Sequence, residues 1–212
     1  MGIEIDVVSF NMNDFKGQCR EIVDGLRSTF RRIPTFQING EDQRQDELQY
    51  ILDNMKYTSR LEIFATTIEG LPLKIPVTTE DLFIYTGSWI TLDYVMSLKM
   101  STMVLCNTNL TNEDINVIFK SWMEMKSFQN LEHFEIDLTN RNDFVEVALK
   151  DIPYEKRPSI TGPNPFYAQV DTIFEVTRRD GQKACIEVSE LTQFFVTMRP
   201  RLPLLKFADS PE

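Results

Sequence analysis

The sequence has one histidine, three cysteines and eight glycines among 212 residues, and these shortages exclude several kinds of site. Cys19, Cys106 and Cys185 are far apart, with no Cys-x-x-Cys pair and no matching histidines, so we expect no zinc site. The scattered glycines form neither a P-loop nor a dinucleotide-binding fingerprint. No cofactor is therefore expected, and reduced thiols suit an intracellular protein of the cytoplasm or the nucleus.

Positive charge is also scarce, because 22 Lys and Arg residues stand against 32 Asp and Glu residues. The acidic excess is spread along the chain and no region is basic, so a nucleic-acid partner is not expected. No apolar run approaches the roughly 18 residues needed to cross a bilayer. The amino terminus lacks a basic segment followed by an apolar run, so we expect neither a signal peptide nor a membrane partner.

Short apolar dyads are the clearest recurring pattern that is present. They are Phe36/Ile38, Leu61/Ile63, Leu82/Ile84, Met103/Leu105 and Phe134/Ile136, and Ile5/Val7 is expected to be the first member. Each dyad has the period of two that a strand with one buried face requires. Successive dyads from Phe36 onwards begin 25, 21, 21 and 31 residues apart.

Helical patterns lie between the dyads. Two apolar stripes follow helical spacing, the first through Cys19, Ile22, Val23, Leu26 and Phe30, and the second through Leu48, Ile51, Leu52 and Met55. Residues 91–98 indicate a shorter helix with Thr91 as its N-cap. Thr111 is expected to cap a fourth helix, because residues 112–114 give it a polar and acidic first turn before a stripe that includes Trp122. No helix is expected in residues 60–77, where two prolines would break it.

Strand–helix units of about 20–30 residues resemble leucine-rich repeats. The expected fold class is α/β, with an irregular leucine-rich-repeat-like strand–helix array over residues 1–140. Four of the ten prolines lie in residues 153–165 and predict a connector at 141–165. Residues 166–212 are expected to form a C-terminal antiparallel β-hairpin segment and a tail.

Apolar matching sets the predicted register of that hairpin. It favours a three-residue loop at residues 179–181 over a two-residue loop, with Gly181 in the left-handed bulge position. The expected cross-strand pairs are Val176 with Ala184, Phe174 with Ile186, and Thr172 with Val188. Residues 194–198 could then add a third antiparallel strand.

Candidates for catalysis are few. His133 is expected to face outward on its strand with Glu135 and Asp137, as a solvated residue. Strand alternation separates Glu132 from Glu135, so no metal site is expected, and Cys106 lacks a partner base. We therefore predict no catalytic residue and no enzyme, although an uncharacterised hydrolase built on a deep polar pocket around His133 is an alternative.

A binding surface is a stronger hypothesis. If the dyads point inward, Phe64, Phe83, Tyr85, Val104 and Cys106 point to the opposite face of the sheet. Aromatic anchors are typical of protein-binding patches, so we predict that Phe64, Phe83, Tyr85 and Val104 contact an unknown target protein. The alternative is that a loop or the C-terminal hairpin covers these residues.

Four motifs, taken together, resemble the nematode-expanded family of F-box-associated domains (type 2). They are GSWITLD at 87–93, LTNEDINVIFKSWM at 110–123, NLEHFEI at 130–136 and RRDGQKACI at 178–186, and the resemblance runs over about residues 20–198. In such proteins an N-terminal F-box docks onto a Skp-type adaptor of a cullin ubiquitin ligase. The resemblance implies target recognition linked to ubiquitin-dependent protein turnover, and structural roles for Trp89, Asn116, Trp122 and Gly181.

No F-box is recognisable, because residues 3–10 already have the pattern of a strand. A Skp-type adaptor is therefore expected as a partner only if an F-box is supplied upstream. The alternative is an F-box-less binding protein that acts independently of a ubiquitin ligase.

Overall fold

The computed structural model describes residues 6–55, 58–70, 72–138, 140, 142–158, 170–190 and 194–200. These residues form a mixed ten-stranded sheet and five helices. The strands are β1 (Val7–Asn11), β2 (Thr35–Asn39), β3 (Arg60–Ile63), β4 (Asp81–Ile84), β5 (Thr102–Leu105), β6 (His133–Asp137), β7 (Tyr154–Pro158), β8 (Val170–Thr177), β9 (Lys183–Glu190) and β10 (Phe194–Pro200). The helices are α1 (Cys19–Thr29), α2 (Gln45–Asn54), α3 (Leu92–Ser97), α4 (Asn112–Met123) and α5 (Phe144–Val147).

Strands β1 to β6 are parallel and lie side by side in sequence order. The five later dyads occupy equivalent positions, so that Leu61 lies opposite Leu82 and Met103 lies opposite Phe134. All ten dyad residues are at most 1% exposed. The prediction that the dyads line up on one buried face is confirmed, as is the α/β class with a C-terminal antiparallel hairpin. The leucine-rich-repeat-like description stays a prediction.

The first strand corrects the sequence analysis by one residue. Ile5 lies outside the described residues, and Val7 is 51% exposed. Val8 and Phe10 take the inward positions instead, with Val8 opposite Phe36 and the Phe10 ring 6.4 Å from the Phe36 ring. Because side chains alternate along a strand, this shift reverses which residues reach the core.

The helices cover the dyad face of the sheet, and their apolar stripes join the same hydrophobic cluster. Thr111 caps α4 as predicted, because its hydroxyl accepts a hydrogen bond from the backbone N–H of Asp114 at 3.3 Å. The Asp114 carboxylate accepts the Thr111 backbone N–H at 2.9 Å, so the two residues form a capping box. In the described residues between β3 and β4 no helix forms, as expected.

Polar side chains connect neighbouring units where the parallel strands end. The Thr86 hydroxyl donates to the Ala65 carbonyl at 2.7 Å, and the Asn107 side-chain amide donates to the Tyr85 carbonyl at 2.7 Å. Each bond satisfies a backbone carbonyl that the ladder leaves free. The unit boundaries are therefore held by side chains as well as by the sheet.

The C-terminal segment continues the same sheet. Strand β10 lies between β6 and β9 and is antiparallel to both, so the third strand predicted for this segment is confirmed. Gly181 has φ +89° in the predicted three-residue loop. The hairpin register is confirmed for Val176 with Ala184 and for Phe174 with Ile186. The predicted one-to-one pair of Thr172 and Val188 was wrong, because the ladder shifts at a bulge between residues 170 and 173.

The predicted connector at 141–165 contains regular structure. Helix α5 and strand β7 both lie in it, and β7 pairs with β8 at the edge of the sheet. Residues 159–169 lie outside the described ones, and the domain boundaries at 140 and 166 stay predictions. Within the described ranges, no helix combines the length and apolar character that a bilayer-spanning segment needs.

Candidate protein-binding face

The second face of the parallel strands is the candidate site. We call the surface formed by the alternate residues of β2 to β6, opposite the dyads, the open face. It brings together all four of the predicted binding residues: Phe64 is 37% exposed, Phe83 and Tyr85 are half-buried, and Val104 is 8% exposed. Since neither Phe83 nor Tyr85 is fully buried, their role in binding stays a prediction.

Phe64 and Tyr85 form an aromatic stack on this face. Their ring centroids are 4.1 Å apart and the ring planes differ by 6°. Each residue follows its strand directly, and its N–H continues the ladder, from Phe64 to the Ile38 carbonyl at 2.8 Å and from Tyr85 to the Ile63 carbonyl at 2.9 Å. The rings are therefore held by backbone pairing rather than by a loop. Burial, and then the nearby Glu62 carboxylate, raise the pKa of Tyr85.

A cation already occupies the neighbouring part of the open face. The Arg60 guanidinium lies 4.0 Å from the centre of the Phe83 ring, and its Nε donates to Glu62 at 2.7 Å. The second Glu62 oxygen accepts from the Gln37 side chain at 2.8 Å. Glu62 is only 6% exposed, so these two bonds satisfy a buried carboxylate.

Strand β6 places acidic groups on the open face. His133 and Glu135 point outward as predicted, with His133 Nε2 3.5 Å from Glu135 Oε2. Arg199 Nε lies 3.4 Å from His133 Nδ1. The Asp137 carboxylate accepts hydrogen bonds from both the backbone N–H and the hydroxyl of Thr108. Within the described part of the chain, no group of three or more His, Cys, Asp or Glu side chains is arranged to hold a metal ion.

The strand between the aromatic and the acidic residues carries shorter side chains. On the open face, β5 and the residue after it present Thr102, Val104 and Cys106, flanked by Phe83 and Tyr85 on one side and by Glu135 and Asp137 on the other. Because neighbouring strands are about 4.8 Å apart, the flanking strands β4 and β6 are about 10 Å apart. We call this feature the trough, with Val104 and Cys106 as its floor.

Cys106, the thiol on the floor of the trough, is not poised for nucleophilic catalysis. Burial, followed by the Asp137 and Glu135 carboxylates, raises the pKa of the Cys106 thiol to about 11. The thiol therefore stays protonated at neutral pH, and a protonated thiol is a poor nucleophile. Sequence analysis expected Glu135 and Asp137 to face outward on their strand and rejected a metal site there, but it did not connect them with the aromatic residues, and it overlooked Arg60. The period of two in β6, together with the strand order, was the signal that places these acids beside the aromatic residues.

A second concave region lies on another part of the protein. A cleft of about 190 Å³ is lined by residues 96, 98–100 and 126–130, with Met96 and Phe128 as apolar contacts and Lys99 and Lys126 as basic ones. Lys126 is ion-paired with Glu124. None of the predicted binding residues lines this cleft, so it serves below as the competing location for a ligand.

The motif residues that the sequence identified as structural have structural contacts. The Trp89 ring packs edge-on against the Tyr94 ring at 5.0 Å, and Trp122 is fully buried. The Asn116 side-chain amide donates to the carbonyls of Ala148 and Lys150, both at 2.9 Å. These residues hold helices and loops in place and leave the open face to other side chains.

Comparison with known proteins follows the same motifs. Residues 72–136 match the family model described as F-box associated, and this range includes three of the four motifs. An uncharacterized protein of Caenorhabditis elegans is 23% identical over 168 residues, which cover 76% of this chain and 40% of that relative. The chain thus spans about 40% of the length of this curated relative. No solved structure matches the chain. The resemblance is confirmed over residues 72–136, which match the F-box-associated model.

Proposed function

We propose that this chain is a non-catalytic protein-binding module that selects a target protein for ubiquitin-dependent turnover. The observation that carries the proposal is the open face, where a stacked aromatic pair with Phe64 37% exposed lies beside Phe83 and Val104. The F-box-associated segment supports a binding role over a catalytic one. On this proposal a leucine-rich-repeat-like array presents the face inside the cell, in the cytoplasm or the nucleus.

The construction of the open face suits recognition of a polypeptide. Its side chains stand on paired strands that are backed by a packed core, so little conformational entropy is lost when a partner binds. Partly exposed aromatic rings supply large contact areas at low entropic cost, and such residues dominate binding energies at protein interfaces. A broad sheet surface of this kind contacts an extended segment more readily than it encloses a small molecule.

The link to ubiquitin requires an F-box in the same protein. An F-box elsewhere in such a protein would supply the contact with a Skp-type adaptor, while this chain supplies the target. We expect residues 1–212 alone to fail to co-purify with the adaptor, and the same residues joined to an F-box to co-purify with it. If the chain alone co-purifies with the adaptor, this division of roles is wrong.

The alternative is a binder that retains its target without a ligase. The sequence of the messenger RNA upstream of Met1 distinguishes this binder from a ligase subunit. An in-frame F-box favours the ligase subunit. If no F-box is encoded there, we expect loss of the protein to leave target half-life unchanged, and the turnover part of the proposal fails.

The binding role is tested by selecting displayed random peptides on the purified chain and measuring the best binders by fluorescence anisotropy. Phe64→Ala and Tyr85→Ala should each weaken binding by tenfold or more, because each removes one ring of the exposed stack. Phe15→Ala is the matched control, since Phe15 is 38% exposed but stacks on Phe10 at 5.5 Å, away from the open face. The control should bind like the unaltered chain.

Two outcomes would overturn the binding role. One is that selection on this chain enriches no peptide more strongly than the same selection on an unrelated acidic protein. The other is that the selected peptides lose affinity with Lys99→Ala, in the competing cleft, while Phe64→Ala and Tyr85→Ala leave their affinity unchanged.

A further inference from the structure

The charges around the trough are strongly one-sided. On the outward positions of β3 to β6 and the residues that follow them, Arg60 is the single arginine or lysine, whereas Glu62, Asp81, Glu135 and Asp137 are acidic. Arg60 is already engaged by Glu62 and by the Phe83 ring. On the neighbouring strand β10, Arg199 lies 3.4 Å from His133 and 4.0 Å from Glu187, so this cation also has partners. The remaining field over the trough is therefore negative, and it favours a cationic ligand.

Three of these acids differ in how far they are already satisfied. Glu62 is paired with Arg60 and Gln37, and Asp137 accepts two hydrogen bonds from Thr108. Glu135 differs, because among the described residues its ionic contact is with His133, at 3.5 Å. That contact is longer than the hydrogen bonds that Glu62 and Asp137 accept, so Glu135 is the carboxylate with the most capacity left to accept a cation.

The aromatic wall supplies the other half of a cation site. Phe83 and Tyr85 flank the same floor that Glu135 flanks from the other side, and Val104 beneath them is only 8% exposed. A guanidinium placed there would meet ring faces on one side and a carboxylate on the other, over an apolar floor that excludes water. Cation–π and charge-assisted contacts both strengthen when they are desolvated.

The same surface already contains this arrangement once. Arg60 lies over the Phe83 ring at 4.0 Å and bonds to Glu62 at 2.7 Å, so an arginine held by one ring and one carboxylate is compatible with the local strand spacing. In the trough the rings stand on β4 and Glu135 stands on β6, with β5 between them, so the same two kinds of group flank a wider gap of about 10 Å.

We propose that the trough binds a basic side chain of the target polypeptide, arginine in preference to lysine, between the aromatic residues of β4 and Glu135. The inference rests on the proposed function, because it names the chemistry that the open face recognises. Arginine is preferred because its planar guanidinium stacks on a ring while it bonds to a carboxylate, which a lysine ammonium does less well. The basic residue would lie in an extended segment that crosses or follows β5.

The test uses the same displayed peptides on the full chain. Selected peptides should share an arginine at a fixed position, and replacing that arginine with neutral citrulline should weaken binding tenfold or more. Glu135→Gln should weaken binding of the arginine peptide by a similar factor. It should leave binding of the citrulline peptide unchanged, because citrulline is neutral and makes no ion pair with Glu135. Circular dichroism and urea unfolding confirm that the variant is folded.

The matched control is Glu155→Gln on β7. It makes the same charge change on the same face of the sheet, at a side chain that is 74% exposed and far from the trough. The control should bind the arginine peptide like the unaltered chain. If both variants weaken binding equally, the effect is general electrostatic attraction and the trough site is wrong.

The outcomes separate this inference from the proposal on which it rests. If peptides depend on Phe64 and Tyr85 but show no basic residue and no response to Glu135→Gln, the open face binds polypeptides and the cation site is wrong. If no peptide depends on the open face, both proposals fail. A charge reversal gives an independent check, because Glu135→Lys should select acidic peptides where the unaltered chain selects basic ones.

Discussion

Gly87 should be intolerant of even a single methyl group. It lies after β4, and its N–H donates to the Cys106 carbonyl at 2.9 Å. A Cβ at this position would lie 2.7 Å from that same carbonyl oxygen and 2.9 Å from Cδ1 of Ile90. The Ile90 methyl can rotate away, but the Cys106 carbonyl belongs to backbone that the Cys106 N–H fixes to the Ile84 carbonyl at 2.8 Å. The backbone around residue 87 must therefore move.

The expected cost follows from two effects. Forcing extra volume into a packed site costs about 1–3 kcal/mol. Moving the backbone away from Cys106 also weakens the hydrogen bond of Gly87, which is worth about 0.5–1.5 kcal/mol. Gly87→Ala should therefore lower the free energy of unfolding by about 2–4 kcal/mol, a large part of the roughly 5–15 kcal/mol typical of a domain.

Gly25→Ala is the matched control with the opposite sign. Gly25 lies inside α1, and a Cβ there would have no atom within 4 Å apart from its chain neighbours and the backbone of its own helix. Alanine should stabilise the helix by about 0.5–1 kcal/mol, because glycine loses more backbone entropy on folding. Urea unfolding followed by tryptophan fluorescence and circular dichroism measures both variants. The reasoning is refuted if the free energy of unfolding of Gly87→Ala lies within about 0.5 kcal/mol of that of the unaltered chain.

Three further changes test other parts of the fold, each by unfolding in urea. Trp122→Ala should cost roughly 3–5 kcal/mol, because it empties a fully buried site; a cost below about 1 kcal/mol would contradict the packing. Thr111→Ala should cost about 1 kcal/mol through loss of the cap, and Thr111→Ser should recover most of it. Hydrogen bonds from Arg178 and then from the Gln182 N–H lower the pKa of Asp180 from 3.8 to about 2. Asp180 therefore stabilises the fold above its unfolded pKa, and this contribution disappears as the pH falls towards 2. Asp180→Asn should flatten the dependence of stability on pH between 4 and 2, and an unchanged slope would show that the carboxylate has no such role.

The parallel half of the fold was predictable because its signals are local. Each dyad such as Leu82/Ile84 carries its own period of two, and Thr111 with the acidic turn after it marks a helix start within four residues. The inward-facing residues of the first strand were predicted wrongly because Val7 and Val8 are adjacent and equally apolar. The sequence therefore does not decide which of the two points into the core. Phe10 decides it in the structure, through its contact with Phe36.

The features that sequence analysis overlooked depend on distant partners. Strand β7 is short and charged, and it forms because it pairs with β8. The register of β8 with β9 includes a bulge that no local sequence pattern predicts. Arg178 is 8% exposed because its guanidinium reaches the Gln129 carbonyl at 3.0 Å and lies 5.2 Å from the centre of the Trp122 ring. In the candidate site, alternation alone identified Phe64, Phe83, Tyr85 and Val104. Only the assembled sheet shows that one strand separates the aromatic residues of β4 from Glu135.

The position of β10 has a consequence for the order of assembly during synthesis. Strands β1 to β6 can pair one after another as they leave the ribosome, because each neighbour has already emerged. Strand β6 and strand β9 must each wait, with one edge unpaired, until residues 194–200 arrive to join them. Unpaired edges recruit strands from other chains. The interval before β10 emerges is therefore when the nascent protein is most exposed to aggregation, and a chaperone that shields the edge of β6 would act in that interval.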